Sequence, residues 1–174
     1  MKKEMKDKLK KIKLLILDVD GILTNGEIIV DDKGTEMKIF DVQDGFGVVL
    51  LLRAGLECSI ITARFSKAVE YRAKDLGIKK IYQNARPKTK PYEMLLKDLN
   101  LKESEVCFMG DDLADLAVLK RVGLAITVPN AVKEIKECAD YITDNEGGNG
   151  AVREVAEMIL KAQNKWKSIV DAAS

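Results

Sequence analysis

Apolar positions along this chain fall into short runs without alternation, separated by longer segments of helical period. Residues 13–18, KLLILD, hold four successive apolar residues. That run is too short for a buried helix and lacks the period-two pattern of a half-solvated strand, so it predicts a central strand covered on both faces. The segments EIIV at 27–30 and EMKIF at 36–40, joined by the polar turn DDKG at 31–34, predict a β-hairpin whose Gly34 relieves the turn. From Asp44 the chain alternates: helix 44–54 ended by Gly55, strand 57–62, helix 66–76 ended by Gly77, strand 80–82, and helix 90–99 with Thr89 as its cap. Strand 105–109, helix 112–121, strand 123–127, helix 130–138, strand 140–143 and helix 149–164 follow. This order predicts an α/β fold, a doubly wound, Rossmann-like parallel sheet with a hairpin excursion. Residues 1–12 read as a basic N-terminal helix or solvated arm, 13–164 as one domain with the hairpin at 26–41, and 165–174 as a C-terminal tail.

Composition narrows the function. The 174 residues carry 29 Lys and Arg against 28 Asp and Glu, so a net charge of +1 provides no field to collect on a nucleic-acid backbone. With no His in the chain, a Ser-His-Asp triad, a Cys-His dyad and an HExxH zinc site are all excluded. Cys58, Cys107 and Cys138 are odd in number and widely spaced, as expected of buried, reduced thiols in a cytoplasmic protein. No apolar run approaches the ~18 residues of a membrane span, so neither a membrane nor a nucleic acid is an expected partner.

In open α/β sheets, ligands bind beyond the carboxyl ends of the strands. The acids of this chain gather there. The first strand ends Asp18-Val19-Asp20-Gly21, where the period of an extended chain points Asp18 and Asp20 the same way and Gly21 permits a sharp turn. The strand at 105–109 ends Gly110-Asp111-Asp112, with Asp115 a helical turn later. Either cluster alone would read as a helix cap in a polar turn; the two together would repel unless a hard divalent cation such as Mg²⁺ sat between them. Thr62 ends a third strand with a hydroxyl able to hold a phosphate oxygen, and Lys88 or Lys90 could neutralise phosphate charge nearby. A nucleophilic carboxylate, a second carboxylate for proton transfer, a hydroxyl, an ammonium and a metal together fit phosphoryl transfer through an aspartyl phosphate.

DVDGILT, the Thr of IITAR, a Lys between strands and GDDLADL resemble the four motifs of the haloacid dehalogenase superfamily of phosphatases. The longer series DVDGILTNG, DVQDGFG, IITAR, YRAKDLGI, IYQ, GDDLADL, VGLAITVPNA, YIT and GGNGAVREVAEMIL resembles the small bacterial 3-deoxy-D-manno-octulosonate (KDO) 8-phosphate phosphatases of lipopolysaccharide sugar synthesis, from about residue 12 to 163. That resemblance implies an enzyme in which Asp18 attacks phosphorus and Asp20 protonates the leaving alkoxide, then activates water. Asp18, the backbone carbonyl of Asp20 and Asp111 would bind Mg²⁺, with Asp112 and Asp115 orienting that shell. Thr62 and Lys88 would hold the phosphoryl group, with Lys90 of Lys90-Pro91 an alternative to Lys88. Where the family has Gly, this chain has Ala63, which bears on the sugar subsite rather than on the chemistry. The gap from Asp20 to Asp44 holds only the hairpin and that from Thr62 to Lys88 only one helix and one strand, leaving no room for a cap domain. The family forms homotetramers in which hairpins meet at the centre and neighbouring subunits complete each site. By that resemblance Arg64 and Lys67 are candidates to reach a substrate carboxylate in the next subunit, and Glu146–Gly150 is a turn near the site. The readings that compete are a phosphatase for nine-carbon, sialic-acid-type 9-phosphates and, in another class, a signalling or interaction module phosphorylated on Asp.

Overall fold

In the computed structural model, which describes residues 3–172, the four apolar residues of β1 (Leu14–Leu17) are buried along their whole length. Continuous burial of this kind requires a strand on each side and a helical layer on each face. β1 pairs in parallel with β4 (Glu57–Ile61) and β6 (Val106–Met109). β5 (Lys80–Tyr82) extends the sheet beyond β4, and β7 (Leu124–Thr127) and β8 (Tyr141–Ile142) extend it beyond β6, giving the order β5-β4-β1-β6-β7-β8 with every pair parallel. The chain runs outward to one edge, then restarts beside β1, so the switch point lies between β1 and β6. The antiparallel hairpin of β2 (Ile29–Val30) and β3 (Glu36–Met37) forms a separate two-stranded ladder.

Two layers of helices cover the faces of the sheet, and the C-terminal α7 returns to pack with the helices that precede the switch. The first face carries α2 (Val42–Arg53), α3 (Lys67–Leu76) and α7 (Ala151–Ala162), with α1 (Lys3–Lys11) and α8 (Trp166–Asp171) packed on α7. The second carries α4 (Thr89–Leu99), α5 (Leu116–Leu119) and α6 (Lys133–Cys138). No helix among the described residues is long and apolar enough to cross a membrane.

Several boundaries differ from the sequence expectation, each for a local reason. α2 starts at Val42 because Asp41, rather than a residue nearer Asp44, takes the cap: its carboxylate accepts the Asp44 N–H at 2.8 Å. α4 starts at Thr89, so the cap position falls on Lys88, whose side chain is committed elsewhere. The helix expected over 112–121 is a 3₁₀ turn, Leu113–Asp115, followed by the single turn of α5. There the Asp115 carboxylate folds back on the N–H groups of Asp111 and Asp112, which tightens the turn. The N-terminal segment is no solvated arm, since Leu9 and Ile12 are buried and Gln163 donates to both of their carbonyls. The tail after 164 is ordered as α8, with Trp166 and Ile169 against the core; residues 1, 2, 173 and 174 of these two segments lie outside the described residues. Cys58 and Cys107 are buried, but Cys138 at the end of α6 is half-buried; all three are free.

One contact joins remote parts of the chain. Asp44, 1% exposed, accepts the Gly150 N–H at 3.2 Å and the Arg153 N–H at 2.8 Å, so a carboxylate from α2 satisfies the otherwise unpaired donors that open α7. The same junction seats the Glu146–Gly150 turn on the loop after β1. Gly148 donates to the Ile22 carbonyl at 2.8 Å, and a Cβ on Gly147 would stand 1.7 Å from the Gly21 carbonyl oxygen. Asp44→Ala leaves these donors buried and unpaired, and is expected to cost about 1–3 kcal/mol. The urea midpoint should fall with the slope unchanged.

Candidate active site

Three strand ends converge at the switch point. β1 delivers Asp18 and, two residues on, Asp20; β4 delivers Thr62; β6 delivers Asp111, with Asp115 in the following 3₁₀ turn. Lys88 enters from the loop before α4. These residues, together with Gly26, Ala63, Arg64, Arg86, Asp112 and Ala114, line a cleft of about 260 Å³. A larger cleft of about 590 Å³ lies between α2 and α8, but its lining of Phe46, Leu50, Ile169 and neighbours holds no carboxylate. The chemistry sits in the smaller one.

Asp18, Asp111 and Asp115 each present an oxygen within 4.8 Å of the others. That approach is possible because the loop after β1 turns at Gly21 (φ +87°), where a Cβ would lie 2.0 Å from the Asp111 carboxylate. One ammonium stands among the three acids: Lys88 Nζ is 2.8 Å from Asp18 and 2.6 Å from Asp115, its side chain 2% exposed. Burial alone would lower the Lys88 pKa, but the charges of Asp18 and Asp115 hold it above its ordinary value. Burial and then the Asp115 charge push Asp18 up to about 7, against the pull of Lys88. Asp111 is likewise pushed to about 7 by burial and the charges of Asp18 and Asp115.

Three carboxylates against one ammonium leave two negative charges in a poorly solvated cleft. An oxygen-only donor set with that excess suits a hard divalent cation, which would neutralise it and remove the cause of both raised pKa values.

The structure brings together most of the residues singled out in the sequence. Lys88 is buried in the cleft, while Lys90, the second residue of α4, is exposed. Thr62 is buried on the lining, its hydroxyl accepting the Arg64 N–H at 3.4 Å. Asp115 lies inside the acidic cluster rather than behind it. Asp112 is exposed at the rim of the cleft, and its carboxylate accepts the Leu113 N–H at 2.6 Å. Arg64 turns toward its own chain, with Nε 3.4 Å from Asp20 and Nη2 on Glu36. Lys67, exposed at the start of α3, lines neither this cleft nor its neighbour. That neighbour, about 430 Å³, is lined by Ala63, Arg64, Phe65, Asn84 and Arg86, which puts the Ala63 departure at the rim.

Three residues escaped the sequence reading. Arg86 lines both clefts, Lys38 of the hairpin reaches Asp20, and Glu36 pairs with Lys38 and Arg64. Period-two alternation in EMKIF was the available signal, since it puts Glu36 and Lys38 on one face and Met37 and Ile39 on the other.

Residues 56–155 match the family model described as haloacid dehalogenase-like hydrolase. The 3-deoxy-D-manno-octulosonate 8-phosphate phosphatase of Salmonella typhi is 43% identical over 158 residues, covering 91% of this chain and 84% of that protein. Among solved structures, the phosphatase of the same name from Moraxella catarrhalis, in complex with magnesium ion, phosphate ion and a KDO molecule, superposes with a TM-score of 0.97 at 44% identity, covering 100% of both chains. A cobalt-bound form of the Haemophilus influenzae phosphatase gives 0.88 at 35% identity over 91% of this chain and 92% of that one.

The charge excess makes a thermal prediction. Mg²⁺ at a hundred times its dissociation constant adds about 2.7 kcal/mol of stability, read as a rise in Tm. Asp111→Asn should melt above the wild type without the cation, because it relieves the repulsion, and lose most of the rise with it.

Proposed function

This chain belongs to the haloacid dehalogenase-like hydrolases, and we propose that within that family it is a Mg²⁺-dependent phosphatase releasing phosphate from 3-deoxy-D-manno-octulosonate 8-phosphate in the cytoplasm. The observation that carries the reading is the close approach of Asp18, Lys88 and Asp111 at the switch point. It puts an anionic nucleophile, a phosphate-binding cation and an oxygen donor for a metal in one cleft.

In the first half-reaction a carboxylate oxygen of Asp18 attacks phosphorus and the bond from phosphorus to the sugar's C8 oxygen breaks. Asp20 gives its proton to the departing alkoxide. In the second, Asp20 takes a proton from water, the hydroxide attacks phosphorus, and the bond to the Asp18 oxygen breaks, returning phosphate and the free carboxylate. Lys88 and the Thr62 hydroxyl hold the non-bridging phosphoryl oxygens as charge shifts onto them. Mg²⁺, held by Asp18, Asp111 and the Asp20 backbone carbonyl, supplies charge neutralisation and an orienting template for the phosphoryl group.

Among the described residues only the short hairpin and one helix–strand unit interrupt the site-bearing segments, and neither covers this cleft as a separate domain would, which supports an assembled enzyme. Ile28, Val30, Met37, Ile39 and Val42 are each more than half exposed on or beside the hairpin. Exposed apolar side chains clustered in sequence on this hairpin fit a contact between copies, and the family resemblance makes it the centre of a homotetramer. Lys67, free of the site of its own chain, is then a candidate for the sugar acid bound next door.

The direct test is phosphate release from eight- and nine-carbon keto-deoxy acid phosphates beside hexose phosphates. Mg²⁺-dependent preference for the KDO ester is the expected result, and preference for a nine-carbon ester would move the substrate. Asp18→Asn should lower kcat by about a thousandfold or more while the fold persists. Ile39→Glu should reduce the mass seen by light scattering from four copies toward one; an unchanged mass would remove the hairpin from the interface.

A further inference from the structure

The reading above leaves unexplained a buried charge that lies on the hairpin rather than on the sheet. The Lys38 side chain is 2% exposed, although it directly follows the two-residue ladder of the hairpin. Its Nζ hydrogen-bonds Asp20 Oδ1 and lies 3.1 Å from Glu36 Oε1. Arg64 closes the ring, with one nitrogen on Glu36 and Nε 3.4 Å from Asp20 Oδ2. Burying an ammonium is costly unless it is paired, so a lysine so enclosed is held by its acids and holds them in turn. The arrangement is asymmetric at Asp20. Oδ1 is taken by Lys38, whereas Oδ2 is buried without a hydrogen-bond partner among the described residues.

The geometry points to Lys38 as a positioning residue for the acid/base carboxylate, fixing Asp20 through Oδ1 so that Oδ2 is presented for proton transfer. This rests on the acid/base reading of Asp20 given above. Glu36 acts one step further back by anchoring the Lys38 ammonium, while Arg64 both anchors Glu36 and lies beside Asp20 Oδ2 without hydrogen-bonding it. Without Lys38, the Asp20 and Glu36 carboxylates that share its ammonium repel, and Asp20 leaves the orientation the reaction needs. A misplacement of about 1 Å at a reacting group can cost on the order of a hundredfold in rate.

The test uses full-length Lys38→Met, Lys38→Arg and Glu36→Gln proteins, with Asp20→Asn as the reference. Two substrates are compared, KDO 8-phosphate, whose alkoxide needs a proton to leave, and p-nitrophenyl phosphate, whose phenolate does not. Lys38→Met should lower kcat on the sugar phosphate about 10- to 100-fold with KM within threefold. On the aryl ester a rapid burst of nitrophenolate should survive while the steady rate falls, because only water activation then depends on Asp20. Lys38→Arg should recover part of the loss.

An unchanged kcat in folded Lys38→Met, a rise in KM alone, or an equal loss in the aryl burst would each overturn the assignment. If Lys38→Met does not fold, Glu36→Gln decides, since a severalfold loss of kcat at constant KM supports the positioning role and wild-type kinetics sink it. Wild-type turnover by Asp20→Asn would remove the acid/base reading and this inference with it. A wild-type enzyme that hydrolyses the aryl ester but not KDO 8-phosphate would fail only the substrate assignment; the aryl burst would still score Lys38.

Discussion

Three carboxylates held within 4.8 Å of one another, with Asp18 and Asp115 buried, are the constraint on which the rest of this structure depends. Such an arrangement is unstable on its own terms, because each charge is both desolvated and repelled by its neighbours. The fold imposes it by using backbone rather than side-chain freedom. Asp18 sits one residue past a strand buried from end to end, Asp115 is pinned by two backbone N–H groups, and Gly21 lets the intervening loop pass against Asp111. One buried ammonium, Lys88, lowers the charge without cancelling it. The remaining excess suits the cleft to a divalent cation, whose binding would relieve the repulsion among the acids.

A second consequence is that the loop after β1 has to be held from outside the sheet. The Glu146–Gly150 turn does this by backbone contact, with no side chain intervening at Gly147, and Asp44 holds the turn by closing the start of α7. The loop that follows Asp18 is thereby braced by residues more than a hundred positions later, through a carboxylate that belongs to a helix between them. Damage at Asp44 is therefore transmitted to the site as displacement rather than as lost chemistry.

The hairpin divides its labour by the alternation of a strand. Glu36 and Lys38 face Asp20, while Met37 and Ile39, 54% and 70% exposed, face away. A two-residue ladder is too short to be rigid alone, so covering its outer face also steadies its inner one. The hairpin thus carries, on opposite faces, the Lys38 charge that meets Asp20 and exposed apolar side chains.

Much of this was legible in the sequence, because the relevant signals are local. The unalternated run at 14–17 could only be a central strand, the helix–strand rhythm after Asp44 required a parallel sheet, and acids ending two such runs identified the reactive edge before any distance was known. Lys88 could not be separated from Lys90 in the same way, since both follow the same strand and only the start of α4 turns one inward and leaves the other exposed. Asp112 and Asp115 were alike as letters until a 3₁₀ turn made one a cap and buried the other among the acids. Lys38 and Glu36 carry no motif at all, and the meaning of their alternation depended on what lay beneath the hairpin. The sequence by itself determined the strands, their edge and the kind of chemistry there, because periodicity and residue type act over a few positions. Only the tertiary structure decided which charges meet, because burial and Coulomb interactions depend on distance in space and not on distance along the chain.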